Sequence, residues 1–184
     1  MKKPIVIGLT GAPGAGKSTG AAKLFSELKM LGINCELIGE FAKDKTWEHN
    51  STALGCQEYI FGKQSYRLAR CRDEVDVIIT DSPLPLTLAY VRDEAIREPL
   101  TALVMAVYNS YENINFFINR VKPYNPKGRN QTAEESEALS KDIKELYHRL
   151  SIPYTEITGD ADGYAKAIAM VIDKLKKANL YHEV

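Results

Sequence analysis

Short apolar runs alternate with longer amphipathic stretches along the chain. The apolar runs have the length of buried strands and lie at positions 5–9, 34–38, 75–81, 114–118 and 153–157. Between them, apolar residues recur every three or four positions, which is typical of helices that cover a sheet. Strands that alternate with helices predict a parallel sheet with helices on both faces. The pattern therefore predicts an α/β fold of three layers with a five-stranded parallel sheet.

Local signals predict where several helices begin and end. One helix is predicted over 17–31 and another over 52–72, whereas the polar stretch 41–50 is interpreted as a loop or a helical turn. Thr132 opens a capping-box pattern, T-x-x-E, before the next helix. Asp162 is the predicted cap of the last helix, because aspartate is a preferred residue at that position.

Length and composition limit the class of protein. The chain has 184 residues, which predicts one domain over 1–184. Its formal net charge of zero disfavours a globally basic nucleic-acid binder but allows a local basic patch. The three cysteines lack C-x-x-C spacing, which is typical of reduced thiols in a cytoplasmic protein. No apolar run approaches the length of a membrane span, and no secretory signal is expected, because strand residues follow the first few positions.

The stretch Gly11–Ser18 carries the strongest chemical signal. It fits the phosphate-binding pattern G-x-x-x-x-G-K-[ST] at every fixed position, between a predicted strand and a predicted helix. Its glycines let backbone N–H groups turn toward an anion, and the helix start adds a positive dipole end. We expect Lys17 to reach the β- and γ-phosphates of ATP and Ser18 to ligate Mg²⁺. The predicted nucleotide-binding residues are Gly11, Ala12, Pro13, Gly14, Ala15, Gly16, Lys17, Ser18 and Thr19.

Two acids follow predicted strands and are candidates for catalysis. Asp81 ends the third strand beside the phosphate loop, where it is expected to hold Mg²⁺; the alternative is a helix-capping acid. Glu40 follows the second strand at the same edge of the sheet, where open α/β sheets bind ligands. A carboxylate there can take the proton from an attacking hydroxyl. An ordinary solvated loop acid is the alternative for Glu40, and Asp44 is the second candidate for the base.

A basic loop is predicted over 120–131, between the fourth strand and the capped helix. It contains Arg120, Lys122, Lys127 and Arg129, together with two prolines and a glycine. A mobile cationic loop of this kind can close over a triphosphate and neutralise charge that develops during phosphoryl transfer. Arg120 and Arg129 are the preferred catalytic candidates, since a guanidinium binds phosphate through two hydrogen bonds. A solvated surface charge run is the alternative.

Aromatic and amide side chains cluster in the sequence on the expected acceptor side of the sheet. Aromatic rings can stack on a base while amides bind its edge, which would suit a nucleoside or nucleotide acceptor. Burial in the core is the alternative for each of the aromatics. The candidates are Trp47, Tyr59, Phe61, Tyr90, Gln57, Gln64 and Arg67.

With these residues in place, the chain resembles P-loop kinases of the nucleotide and nucleoside kinase group, above all the thymidylate-kinase-like proteins of bacteriophages. The stretches that carry the resemblance are 11–19, 39–48, 75–84 and 119–129. The resemblance implies a five-stranded parallel sheet with a closing lid at 120–131. It also implies ATP and Mg²⁺ as cofactors and the host cytoplasm as the location. The group includes phage 5-hydroxymethyluracil DNA kinases, so a modified base in DNA is the favoured acceptor.

Other functions and partners stay open at this point. The group usually has an arginine after the acid of the third strand, but Ser82 stands there, which disfavours free thymidylate as the acceptor. A nucleoside or nucleoside monophosphate kinase is the first alternative, and an ATPase switch without an acceptor is the second. The guanine-specifying pattern N-K-x-D is absent at 119–122, which favours ATP. A homodimer is the candidate assembly, and no membrane partner is expected.

Overall fold

The computed structural model describes residues 3–125, 127 and 131–181. Its strands are β1 (Ile5–Thr10), β2 (Cys35–Ile38), β3 (Val77–Thr80), β4 (Glu112–Asn119) and β5 (Thr155–Thr158). Its helices are α1 (Lys17–Met30), α2 (Phe41–Trp47), α3 (Ser51–Gly55), α4 (Gln57–Ala69), α5 (Glu94–Tyr108), α6 (Ala133–Arg149) and α7 (Ala161–Lys177), with a 3₁₀ segment at Leu84–Tyr90. Among the helices described, none combines the length and apolarity needed to cross a bilayer.

The five strands form one parallel sheet in the order β2-β3-β1-β4-β5, which confirms the predicted fold class. Every residue of the central strand β1 is buried, because β3 and β4 flank it and helices cover both faces. From β1 the chain first forms β2 and β3 on one side of this strand and then β4 and β5 on its other side. The loop after β1 therefore lies at a topological switch point. Ligands of open α/β sheets bind at such points, at the carboxyl ends of the strands.

Alternate residues of β1 point to two separate cores, as the two-residue period of a strand requires. On one face, Ile7 packs with Leu24 of α1 and Val171 of α7. On the other face, Val6 packs in a cluster with Phe61 of α4 and Val104 of α5. Each core is closed by an amphipathic helix face whose apolar residues recur every three or four positions.

The structure differs from the sequence predictions in three local ways. The stretch 41–50 contains helix α2, and the predicted helix over 52–72 is two helices that break at Cys56. At this break the Gln57 side chain donates to the Leu54 carbonyl oxygen at 2.7 Å, so a side chain satisfies a group at the end of α3. Asp160, not Asp162, caps α7, because its carboxylate accepts from the Gly163 N–H at 2.9 Å.

The capping box of α6 is confirmed and fixes the end of the basic loop. The Thr132 hydroxyl accepts from the Glu135 N–H at 3.2 Å, and the Glu135 carboxylate accepts from the Thr132 N–H at 2.7 Å. This reciprocal pair satisfies two backbone donors at the start of α6. The helix therefore begins at a defined point, at Ala133 directly after its cap Thr132.

Candidate active site

The phosphate loop connects β1 to α1 and has the geometry of an anion-binding turn. Gly16 precedes α1 with φ of 107°, a conformation that L side chains avoid, and no side chain caps the helix. The N–H groups at this helix start are therefore available to a ligand. Lys17 is buried, and its ammonium donates to the carbonyl oxygens of Gly11 at 2.9 Å and Ala12 at 3.2 Å. The lysine thus folds back over the loop, while Ser18 and Thr19 are exposed at the cavity.

Residues far along the chain hold this loop in place. The Tyr164 hydroxyl of α7 donates to the Gly16 carbonyl oxygen at 2.9 Å, and the Ser136 hydroxyl of α6 donates to the Pro13 carbonyl oxygen at 2.8 Å. Gly159, directly after β5, lies so close to the loop that a Cβ there would collide with the Ala15 carbonyl oxygen. The loop conformation therefore depends on three elements from the C-terminal part of the chain.

The contact at Gly159 predicts a selective loss of ATP affinity. A methyl group at position 159 must displace the backbone of the phosphate loop, because its nearest neighbour is the Ala15 carbonyl and not a flexible side chain. Gly159→Ala is expected to cost about 1–3 kcal/mol of unfolding free energy and to weaken ATP binding by about tenfold or more. Urea denaturation and calorimetry with ATP measure the two effects.

Gly62→Ala is the matched control for this prediction. Gly62 lies exposed within α4, and among the described residues no atom beyond its chain neighbours and the helix's own backbone lies within 4 Å of a Cβ built there. Alanine is expected to stabilise this helix by roughly 0.5–1 kcal/mol and to leave ATP binding unchanged. Equal behaviour of the two variants would remove the role assigned to Gly159.

Asp81 offers an oxygen that suits a hard cation. It follows β3, whose pairing with β1 aligns Thr80 with Gly8, so Asp81 lies beside the start of the phosphate loop. The side chain is buried, and its Oδ1 atom has no hydrogen-bond partner among the described residues. No group of three or more histidine, cysteine or acidic side chains in the described residues could hold a metal by itself. A single carboxylate such as that of Asp81 fits Mg²⁺, because this ion takes its other ligands from a hydroxyl, water and substrate phosphates.

Glu40 lies at the cavity wall between β2 and α2, half-buried. Burial raises the pKa of its carboxyl; the nearby Lys17 ammonium opposes the shift, and the Asp81 charge adds to it. A carboxylate with a raised pKa accepts protons more readily at neutral pH, which suits a general base. The second candidate, Asp44, forms an ion pair with Arg67 and does not contact the cavity. The geometry therefore favours Glu40.

One cavity of about 730 Å³ extends from the phosphate loop past Glu40 to a pocket of aromatic, aliphatic and amide side chains. Of the acceptor-side candidates, Trp47, Phe61, Tyr90, Gln57 and Gln64 line it. The other two lie outside: Tyr59 packs edge-on against Phe41, and Arg67 binds Asp44 and the Gly39 carbonyl.

The two glutamines of this cavity are held by the protein itself. Gln64 accepts from the Phe41 N–H at 2.9 Å and donates to the Gly39 carbonyl at 3.3 Å, so it fixes the turn that carries Glu40. The Gln57 carbonyl oxygen accepts from the Thr87 hydroxyl at 2.9 Å.

Burial raises the pKa of the Tyr90 hydroxyl, and the Glu40 charge raises it further, so this hydroxyl stays protonated in the same cavity.

The residues of the basic loop divide between two places. Lys127 and Gln131 line the large cavity. Arg120 instead borders a small cavity of about 130 Å³ with Ala12 and Ser136; it lies 3.6 Å from the Glu137 carboxylate and stacks on Tyr124. The structure therefore does not place Arg120 at the large cavity with Lys17 and Glu40. Lys122 is exposed, and Arg129 lies outside the described residues.

Several site residues have no signal in the sequence. Ser136 and Tyr164 act on the phosphate loop from 123 and 148 positions away, and Thr87 lines the cavity from a 3₁₀ segment that no periodic pattern predicts. Ser136 does lie one position after the capping box, so it is at the start of α6. Nothing in the sequence alone indicates that this helix start faces Pro13.

The comparisons with known proteins agree with this architecture. Residues 6–162 match the AAA domain family model, and the chain belongs to that family. The solved structure of NadR in complex with NAD and AMP-PNP superposes with a TM-score of 0.70 at 14% identity, over 92% of this chain and 49% of NadR. The chain thus spans about half the length of NadR. A comparison with curated proteins gave no match.

A second structure covers a whole relative. Deoxyadenosine kinase from M. mycoides with bound dATP superposes with a TM-score of 0.55 at 20% identity, over 93% of this chain and 99% of the kinase. At such identities the likeness concerns the fold. Together with the family match it confirms the P-loop NTPase fold that the sequence predicts.

Proposed function

We propose that the protein is an ATP-dependent phosphotransferase that acts on a hydroxyl of a nucleotide-type acceptor. The observation that carries the proposal is the large cavity, which joins the phosphate loop, Glu40 and a pocket of aromatic, aliphatic and amide side chains. Hydrolysis by a switch protein transfers the phosphoryl group to water, so it requires no pocket of this kind beside the phosphate loop. The AMP-PNP bound to NadR and the dATP bound to deoxyadenosine kinase, in a shared fold, support a nucleoside triphosphate as the ligand.

The proposed reaction is an in-line transfer of the γ-phosphoryl group. Glu40 takes the proton of the acceptor hydroxyl while the acceptor oxygen bonds to the γ-phosphorus. The bond between that phosphorus and the β,γ-bridging oxygen breaks, and ADP leaves. Lys17 exchanges its loop carbonyl partners for the phosphates and stabilises the charge on their oxygens. Ser18 and Asp81 would hold Mg²⁺, which neutralises phosphate charge when bound.

The 5-hydroxymethyl group of 5-hydroxymethyluracil in phage DNA is the first acceptor that we propose. Support comes from the resemblance of 39–48 and 119–129 to phage kinases and from Ser82, which leaves the end of β3 without the arginine expected for free thymidylate. A flipped base with its sugar could enter the cavity of about 730 Å³ that extends past Glu40. The alternative acceptor is a free nucleoside or nucleoside monophosphate, whose base and sugar the same aromatic and amide side chains can contact.

Transfer of label from [γ-³²P]ATP to a panel of acceptors tests these proposals. The panel contains free nucleosides, monophosphates, unmodified DNA and DNA with 5-hydroxymethyluracil. We expect label on the modified DNA and none on unmodified DNA. Label on a free nucleoside or monophosphate instead would replace the DNA acceptor by the alternative, and label only in inorganic phosphate would favour the ATPase switch. Asp81→Asn should abolish any transfer that is observed.

A further inference from the structure

We infer that the rim of the large cavity, formed by Lys43, Trp47 and Arg92, binds a nucleic-acid strand on either side of the acceptor nucleotide. The inference rests on the proposed function and names how the acceptor is held. The three residues come from two walls of the cavity: Lys43 and Trp47 from α2, and Arg92 from the segment after the 3₁₀ helix.

Trp47 has the surface of a stacking platform. Its side chain is 60% exposed, although tryptophan is the side chain that gains most from burial, and it lines the cavity at the same time. Lys43 lies one turn before it on the same helix, so the two side chains share a face. A base next to the acceptor nucleotide can stack on an exposed indole while its phosphate meets the lysine.

The charges at the rim fit a polyanion better than a single phosphate group. Lys43 and Arg92 are exposed, and within the described residues neither forms an ion pair with a carboxylate. An exposed cation contributes little to the binding of one phosphate, but a strand presents several phosphates and releases counterions at each contact. A free monophosphate would instead need a cation deep in the acceptor pocket.

The interior of the cavity supplies no such cation within the part of the chain that the structure describes. There, Lys17 is the only buried basic side chain, and it belongs to the phosphate loop. Beyond Glu40, the acceptor pocket is lined by neutral side chains such as Phe61 and Gln57, which suits a base and its sugar, while Lys43 and Arg92 lie at the rim. The opposite wall carries the exposed acids Glu135 and Asp142, so we place the strand along α2 and Arg92, away from α6.

Binding to Trp47 can be followed without any enzymatic step, because it is the only tryptophan in the chain. A single-stranded oligonucleotide of about 12 nucleotides with one central 5-hydroxymethyluracil is titrated into the protein without ATP. We expect quenching of the tryptophan fluorescence and an increase in the anisotropy of a dye on the oligonucleotide. Deoxyuridine monophosphate at the same nucleotide concentration should not quench the fluorescence, because it has no neighbouring base to stack on Trp47.

The salt dependence of oligonucleotide binding, measured for variants, distinguishes specific contacts at the rim from general electrostatic attraction. Lys43→Ala combined with Arg92→Ala is expected to weaken oligonucleotide binding about tenfold and to reduce the slope of log K against log salt by about 1.4. Lys166→Ala removes an exposed cation from α7 and should leave both quantities unchanged. Lys43→Gln and Arg92→Gln, measured singly, should each give part of the loss. Circular dichroism verifies that each variant is folded.

Three results would overturn the inference. They are the absence of oligonucleotide binding, equal quenching by the monophosphate, and equal affinity of the double variant and the wild type. The failure of this inference and the failure of the phosphotransferase proposal give different results. If a strand binds as expected and no acceptor is labelled, the inference about the rim stands and the phosphotransferase proposal is wrong. Label on a free nucleoside without strand binding would retain the kinase and discard the rim.

Discussion

Glu40→Gln is expected to lower kcat of phosphoryl transfer by about 10²–10⁴-fold while ATP affinity stays within a factor of about two. The amide keeps the shape of the carboxyl group but cannot accept the proton of the acceptor hydroxyl. In the proposed reaction the phosphate loop holds ATP, and Glu40 makes no hydrogen bond to this loop in the described residues. Steady-state kinetics and calorimetry measure the two quantities. Asp44→Asn is the matched control and should retain turnover, since Asp44 pairs with Arg67.

The same variant has a signature in the pH profile. Burial holds the pKa of Glu40 above the ordinary glutamate value of about 4.3, so the wild-type rate should fall as the pH drops through that raised pKa. Glu40→Gln should lose this limb of the profile. A wild-type rate that is independent of pH below neutrality, or a larger loss in Asp44→Asn, would move the role of base away from Glu40.

The raised pKa also predicts how Glu40 affects stability. The folded chain holds the proton of Glu40 at pH values where the unfolded chain has released it. The unfolding free energy therefore falls as the pH rises between the unfolded and the folded pKa. At pH 7 the glutamine variant, which has no charge to desolvate, should be at least as stable as the wild type. Urea denaturation at pH 7 tests this expectation, and a clear loss of stability would contradict it.

Lys17→Ala is expected to lower kcat by about 10²–10³-fold, the usual effect of removing one preorganised donor to a developing charge. It should also weaken ATP binding, because Lys17 is the only buried cation in the described residues. The expected kcat loss is about the same with every acceptor of the panel, because the lysine acts on the phosphates and not on the acceptor. Single-turnover transfer and calorimetry measure the effects.

Lys23→Ala is the control for this substitution. Lys23 lies on the exposed side of the same helix and pairs with Glu27 at 2.6 Å. Removal of such a surface pair is expected to change the unfolding free energy by less than about 1 kcal/mol and to leave turnover unchanged. If Lys17→Ala retained wild-type transfer, the phosphate loop would have to bind something other than the transferred group.

The sequence predicts those features of the site that depend on neighbours along the chain. The phosphate loop follows a strand and starts a helix, so its motif and its context lie within about 25 positions. Asp81 could be placed because β3 is a short apolar run that ends in an acid, and parallel strands bring their carboxyl ends to one edge. The number of strands and the layers follow from the same periodic patterns, whereas the order β2-β3-β1-β4-β5 is known only from the structure.

Features that depend on tertiary contacts could not be predicted in this way. Gln64 looks like a base-reading amide in the sequence, but the folded chain uses both ends of it to hold the backbone at Gly39 and Phe41. At the break between α3 and α4, the Gln57 side chain donates a hydrogen bond to a carbonyl oxygen at the end of α3. The spacing of apolar residues along the chain carries no signal of such a bond. Arg120 belongs to a cationic loop by sequence, yet the structure places it beside the small cavity behind Ala12.

The hydroxyls of Ser136 and Tyr164 have a consequence for how the protein is made. They bind the phosphate loop from 123 and 148 positions downstream. A ribosome-bound chain that ends before α6 therefore contains the glycines and the lysine of the loop but lacks both of these hydrogen bonds. The hydrogen bonds that hold the loop therefore form only after nearly the whole polypeptide has emerged and folded. The proposed binding of ATP would then favour the complete native chain over the nascent one and raise the unfolding free energy of the finished protein.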